Sequence, residues 1–138
     1  MPSHQRCVAP QVCQIARLIE WVGSCCGADR VADDVTFKLT LAVEEAVSNA
    51  IAHAFADLPP PHLIKVRLEI TAASVAAEII DNGRPFDPTA APDADLSAPL
   101  ERRDPGGLGV HLMHSVMDDV QYRHSDGRNI LRLEKARS

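Results

Sequence analysis

Only five of the 138 residues are aromatic: one Trp, one Tyr and three Phe. The core must therefore be built mainly from Ala, Val, Leu and Ile. The four cysteines, Cys7, Cys13, Cys25 and Cys26, form no Cys-x-x-Cys pair, so the spacing of a zinc site is missing. They read as free thiols of a reducing, cytoplasmic compartment. No apolar run approaches the ~18 residues that a membrane-spanning helix needs. The start, Met1-Pro2-Ser3-His4-Gln5-Arg6, lacks the apolar stretch of a signal peptide. Basic residues are outnumbered, 14 Lys and Arg against 19 Asp and Glu, for a net charge of −5. That balance makes the chain a poor candidate for wrapping nucleic acid, which needs a basic face. It leaves room for one nucleotide, which needs only a few backbone amides and a metal ion.

The length suits one domain, residues 1–138, with a core of its own. Val12, Ile15, Leu18, Ile19 and Val22 recur at steps of three and four, which predicts a helix from about Gln11 to Cys26, closed by Gly27. A second helix is expected from about Asp34 to Ala56, capped by Asp33 or Asp34. Leu58-Pro59-Pro60-Pro61 stops it. Residues 63–71 alternate apolar and charged, and residues 75–81 form a more apolar run, so the two read as a hairpin. Residues 82–107 carry Pro85, Pro88, Pro92, Pro99 and Pro105, a loop long enough to suggest function. A short helix at 110–117 and a hairpin around Asp126-Gly127 follow. The expected fold is α+β: a two-layer sandwich, mainly antiparallel sheet with helices on one face.

Three clusters can carry chemistry. Glu45, Asn49 and His53 lie four apart, one polar stripe on an otherwise apolar helix. Asn is a poor helix former, so an Asn in mid-helix suggests that its side chain is in use. The alternative is a solvated face. In Ile79-Ile80-Asp81-Asn82-Gly83 a carboxylate ends an apolar strand and a glycine follows two residues later. Asp81 could accept a hydrogen bond from the exocyclic amine of a base, and Gly83 would let a flat ring approach the backbone. The alternative is an ordinary Asp-Asn-Gly turn. In Pro105-Gly106-Gly107-Leu108-Gly109 a glycine-rich turn runs into a helix, a cradle for phosphate or a plain linker. It is neither a Walker loop nor a dinucleotide-binding fingerprint.

In this order and spacing the clusters resemble the N box, G1 box and G2 box of the gyrase, Hsp90, histidine kinase and MutL ATPases, which share the Bergerat ATP-binding fold. Within that superfamily the chain most resembles the anti-sigma factor serine/threonine kinases. Leu41-Ala42-Val43-Glu44-Glu45-Ala46-Val47-Ser48-Asn49-Ala50, Asp81-Asn82-Gly83-Arg84-Pro85-Phe86-Asp87-Pro88, Gly106-Gly107-Leu108-Gly109 and Met117-Asp118-Asp119-Val120 carry the resemblance. It extends from about residue 10 to the end.

The resemblance implies ATP and Mg²⁺ as cofactors. Asn49 would hold the metal against the phosphates, and Glu45 would be the general base. Asp81 would bind the adenine and Gly83 would lie beneath it. Residues 87–109 would form a lid over the ATP, in which Gly107, Leu108 and Gly109 wrap the phosphates. Arg102 and Arg103 are candidates for the γ-phosphate, for a protein partner or for plain solvated charge. His53 matches the helix end, and packing is its expected role. Many relatives carry a Thr in the last strand that joins the adenine network. Here that strand reads Arg128-Asn129-Ile130-Leu131-Arg132-Leu133, with Asn129 as the candidate substitute.

The implied function is a serine kinase acting on an anti-anti-sigma partner of STAS type and also holding a sigma factor, by partner switching. The resemblance further allows a homodimer, with Trp21 and Val22 of the first helix at an apolar contact. The competing reading is a non-catalytic ATP-binding module that sequesters a partner; Glu45 speaks for the enzyme, because a pure binder needs no base. The catalytic half of a histidine kinase is a third reading. It is disfavoured because no upstream dimerisation helices with a phosphoacceptor His are present.

Overall fold

The computed structural model describes residues 3–8, 14–90 and 112–137. Strand alternation decides its architecture. In Ile64–Ile70 (β2), Ile64, Val66, Leu68 and Ile70 are buried while Lys65 and Arg67 face solvent. Such a strand buries one face and needs a layer against it. It pairs antiparallel with Ser74–Asp81 (β3). The Thr71 hydroxyl closes the turn between them by accepting from the amides of Ala73 and Ser74, at 3.1 and 3.0 Å.

The strand Ser3–Val8 (β1) adds to β2. Asp119–Ser125 (β4) and Arg128–Ala136 (β5) form the closing hairpin. Its turn residues Asp126 and Gly127 both have positive φ, 53° and 74°, the pair of left-handed residues that a tight hairpin requires. The sheet order is β1-β2-β3-β5-β4, antiparallel throughout.

Two helices cover one face, Ile15–Ala28 (α1) and Asp33–Asn49 (α2). Leu18, Val22, Leu39, Val43 and Val47 pack with Val66, Leu68 and Leu133 in one aliphatic core. Burying each such side chain is worth about 1.5–3 kcal/mol. Residues 112–116 are helical, and Met113 and Met117 join the same core. Arg137 ties the chain end to both layers, donating to the carbonyls of Thr71 and Asp29 at 2.8 and 2.9 Å.

The expected order of elements is thus found, with four differences. Gly27 does not close α1, which runs to Ala28; the left-handed residue is Arg30, φ 58°, held there by the Val31 amide on the Cys26 carbonyl at 2.9 Å. Neither Asp33 nor Asp34 caps α2: the cap residue is Ala32, and both acids sit in the first turn, where their charge suits the helix dipole. The long second helix is not uniform. Its α-helical part ends at Asn49, and Ala50–Ala54 form a π-helical turn closed by the Phe55 amide on the Ala50 carbonyl at 3.1 Å. Val22 is fully buried in the core, so it is not available for an apolar contact between copies; Trp21 is half-buried against the core.

Candidate nucleotide-binding site

The site lies where the end of α2 meets the end of β3. Asp81 is the last residue of β3 and stands opposite Asn129 in the register of β5. Both are buried, at 6% and 3% exposure. The Asp81 Oδ1 accepts from the amide of Gly83 and from Asn129 Nδ2, each at 2.8 Å. Burial pushes the Asp81 carboxyl above the usual carboxylate range, and these two hydrogen bonds oppose the rise. Asn129 Nδ2 also donates to the carbonyl of Arg84 at 2.7 Å. Its Oδ1 accepts from the Phe86 amide at 3.2 Å and from the Tyr122 hydroxyl.

Beside this network is a pocket lined by Ala46, Asn49, Ala50, Ile79, Asp81, Phe86, Pro88, Tyr122, Asn129 and Leu131. A mainly apolar wall with a few convergent polar groups is the usual make-up of a small-molecule site. Two of the five aromatic residues of the chain are spent here.

Asn49 reaches the pocket from the helix side. It is buried at 6% exposure, and its Nδ2 has no hydrogen-bond partner among the described residues. A buried amide left unpaired costs about 1–3 kcal/mol, so its presence points to a ligand group. The π-turn begins immediately after it, and such turns recur at functional sites. Glu45 lies one turn earlier and is half-buried. Burial, and then the neighbouring charge of Glu44, raise its carboxyl above the ordinary glutamate range.

The structure therefore brings Asn49 and Asp81, 32 positions apart, to one pocket, and places Glu45 one helical turn from it. Gly83 packs closely against the π-turn. A side chain there would meet Ala54 of the π-turn, with its carbonyl oxygen at 2.6 Å. The Arg84 amide donates to that same carbonyl at 2.8 Å. Asn82 is absorbed in the scaffold: its Oδ1 accepts from the Leu63 amide at 2.8 Å and its Nδ2 donates to the Pro61 carbonyl at 3.0 Å. His53, within the π-turn, stacks on Phe86 at 4.9 Å between ring centres. Of the stretch 87–109, only Asp87 to Ala90 is described; the Asp87 carboxylate accepts from Thr89 and Pro88–Ala90 form a 3-10 turn. Arg102, Arg103, Gly107, Leu108 and Gly109 lie outside the described residues.

Sequence reasoning did not find Phe86 and Tyr122 as pocket walls. Phe86 sits within the Asp81-Asn82-Gly83-Arg84-Pro85-Phe86-Asp87-Pro88 stretch and was open to suspicion; nothing in the local pattern singles out Tyr122. Among the described residues no three His, Cys, Asp or Glu side chains gather as a metal cage would. Mg²⁺ fits such a site only in the way it usually binds, through one or two protein oxygens plus phosphate and water. The Asn49 side chain carries one such oxygen, Oδ1; its unpartnered atom among the described residues is Nδ2, a donor, which suits a phosphate oxygen and not the metal itself. No helix among the described residues is long and apolar enough to cross a membrane.

Comparisons with known proteins agree with this geometry. The family described as histidine kinase-like ATPase domain matches residues 8–135. The serine/threonine-protein kinase BtrW of Bordetella bronchiseptica is 36% identical over 113 residues, 82% of this chain and 79% of that protein. The serine-protein kinase RsbW of Bacillus cereus is 32% identical over 108 residues, 72% of this chain and 62% of that protein. Among solved structures, the RsbU and RsbW domains of Rv1364c from Mycobacterium tuberculosis superpose with a TM-score of 0.70 at 14% identity, covering 98% of this chain and 32% of that one. The histidine kinase domain of the blue-light activated kinase from Erythrobacter litoralis gives 0.53 at 15% identity, covering 90% of this chain and 59% of that one. At those identities the structures speak for the fold alone. The chain belongs to the histidine kinase-like ATPase family and, within it, to the family of the serine/threonine-protein kinase BtrW.

Proposed function

We propose that this chain is an ATP-dependent serine protein kinase and an anti-sigma factor, which phosphorylates an anti-anti-sigma partner of STAS type and holds a sigma factor when that partner is modified. One observation carries the nucleotide reading: the buried, unpaired amide of Asn49 and the buried carboxylate of Asp81 line the same pocket. The kinship to proteins named serine-protein kinases supports the reaction.

The roles follow from the chemistry of each group. Both internal hydrogen bonds of Asp81 fall on Oδ1, which leaves Oδ2 as acceptor for the exocyclic amine of adenine. Asn49 would hold Mg²⁺, which supplies charge neutralisation at the phosphates when bound. Glu45 is the base. As the serine Oγ bonds to the γ-phosphorus and the bond from that phosphorus to the ADP oxygen breaks, the hydroxyl proton passes to the Glu45 carboxylate. A carboxyl raised toward neutrality by burial is suited to accept a proton there. Gly83 sets the height of the chain beneath the base through Ala54. Arg102, Arg103, Gly107, Leu108 and Gly109 would contact the phosphates from a lid spanning residues 87–109 of a single domain, 1–138. The thiols of Cys25 and Cys26 are free and buried, in keeping with work in the cytoplasm.

The test is phosphotransfer from radiolabelled ATP with Mg²⁺ to a STAS-domain protein from the same genome neighbourhood. Label on a partner serine, lost in Glu45→Ala and in Asn49→Ala, is the expected result. ATP binding that requires Asp81, with no partner labelled, would favour the non-catalytic module.

A further inference from the structure

An asparagine side chain can make four hydrogen bonds, two through each end of the amide. Asn129 makes all four inside the protein. Nδ2 donates to Asp81 Oδ1 and to the Arg84 carbonyl, at 2.8 and 2.7 Å. Oδ1 accepts from the Phe86 amide and the Tyr122 hydroxyl. Its orientation is fixed by partners that have only one role. A backbone N–H can only donate and a backbone carbonyl can only accept, so the oxygen must face Phe86 and the nitrogen Arg84. Asn129 also lines the pocket, yet it has no bonding capacity left to offer a ligand.

We propose that Asn129 is a positioning residue for the nucleotide: it acts through Asp81, fixing which carboxylate oxygen faces the base, and makes no hydrogen bond to the nucleotide itself. This rests on the ATP reading above. By occupying Asp81 Oδ1, Asn129 prevents the carboxylate from rotating within its buried site and favours the ionised form that can accept from an amine. The Gly83 amide alone would leave that oxygen half-satisfied.

Asn129→Asp tests this, because the new carboxyl mimics the Asn129 donor only while it holds a proton. Two carboxyls sharing a buried site cannot both ionise cheaply. At low pH the shared proton restores the hydrogen bond to Asp81; at high pH both groups ionise and repel. The other groups facing Asp81 are His124 on β4, Arg128 and Lys65 from β5 and β2, and Tyr122. They are common to both proteins, so the readout is the difference between variant and wild type.

Calorimetric titration with Mg-ATP between pH 5.5 and 8.5 should give the variant an affinity within about threefold of wild type at pH 5.5. At pH 8.5 it should be about thirtyfold weaker than wild type. A variant that follows the wild-type profile, offset by the same factor at every pH, has only a structural defect and overturns the proposal; so does one that equals wild type throughout. If Asn129→Asp does not fold, ¹⁵N-labelled wild-type protein decides. The Asn129 side-chain amide protons should exchange slowly both without nucleotide and with Mg-ATP. Rapid exchange in the free protein, or a nuclear Overhauser contact from those protons to adenine, overturns the proposal. Wild-type protein that binds no ATP refutes the nucleotide reading and this inference with it, whereas ATP binding with a parallel profile refutes this inference alone.

Discussion

A side chain at Gly83 would stand 2.6 Å from the carbonyl oxygen of Ala54 and 2.7 Å from its Cβ. The two residues belong to different elements: Gly83 follows the strand that ends in Asp81, and Ala54 closes the π-turn that follows Asn49. Their contact joins the segment after Asp81 to the segment after Asn49.

Gly83→Ala should therefore cost more than its size suggests. The clash is with backbone atoms, which cannot swing aside. Overpacking of this kind costs about 1–3 kcal/mol. We expect a thermal midpoint several degrees lower and weaker ATP binding, measured by calorimetry on the same samples. An unchanged midpoint would mean that the π-turn shifts freely.

Asp81→Asn should separate stability from binding. Burial holds the folded-state carboxyl above its unfolded value. The folded protein then keeps that proton to higher pH than the unfolded chain does. The stability contribution is present in full below the unfolded value and is lost as pH rises through the folded one. The neutral amide removes that loss, so the variant should melt at a higher temperature than wild type at pH 7.5. Its ATP affinity should fall about ten- to hundredfold, because an acceptor for the base amine is gone. A lower melting temperature would contradict this account of Asp81.

The rate of phosphotransfer should rise with pH through the titration of Glu45, since the base works ionised. Burial and then Glu44 raise that carboxyl, so the midpoint should lie above the ordinary glutamate range. Glu44→Gln removes the second cause and should move the midpoint to lower pH with little change in the plateau. Single-turnover rates across pH 4.5–8 would check it. A midpoint that does not respond to Glu44 would detach the limb from Glu45.

Much of this was legible in the sequence, for reasons that can be named. The alternation from Ile64 to Ile70 gives the strand and its inward face, and Asp126-Gly127 gives the closing turn. Asp81 was legible as a carboxylate at the end of an apolar strand. The π-turn was not. Ala50 to Ala54 read as more helix, and the turn is stabilised by partners distant in sequence, Gly83 and Arg84. The Ala32 cap was hidden because the first-turn acids beside it are the better capping residues. The saturation of Asn129 was out of reach because its partners lie on three segments, at Asp81, at Arg84 to Phe86, and at Tyr122.

If Glu45 is the base, this domain is an enzyme and not only a nucleotide-gated binder. Glu45→Gln keeps the shape of the side chain and removes the base. Single-turnover transfer from Mg-ATP to the STAS partner, run beside calorimetry for ATP and for the partner, tests that directly. Both affinities should stay within about threefold of wild type while the transfer rate falls about 10²–10⁴-fold. A variant that transfers phosphate at the wild-type rate would contradict Glu45 as the base.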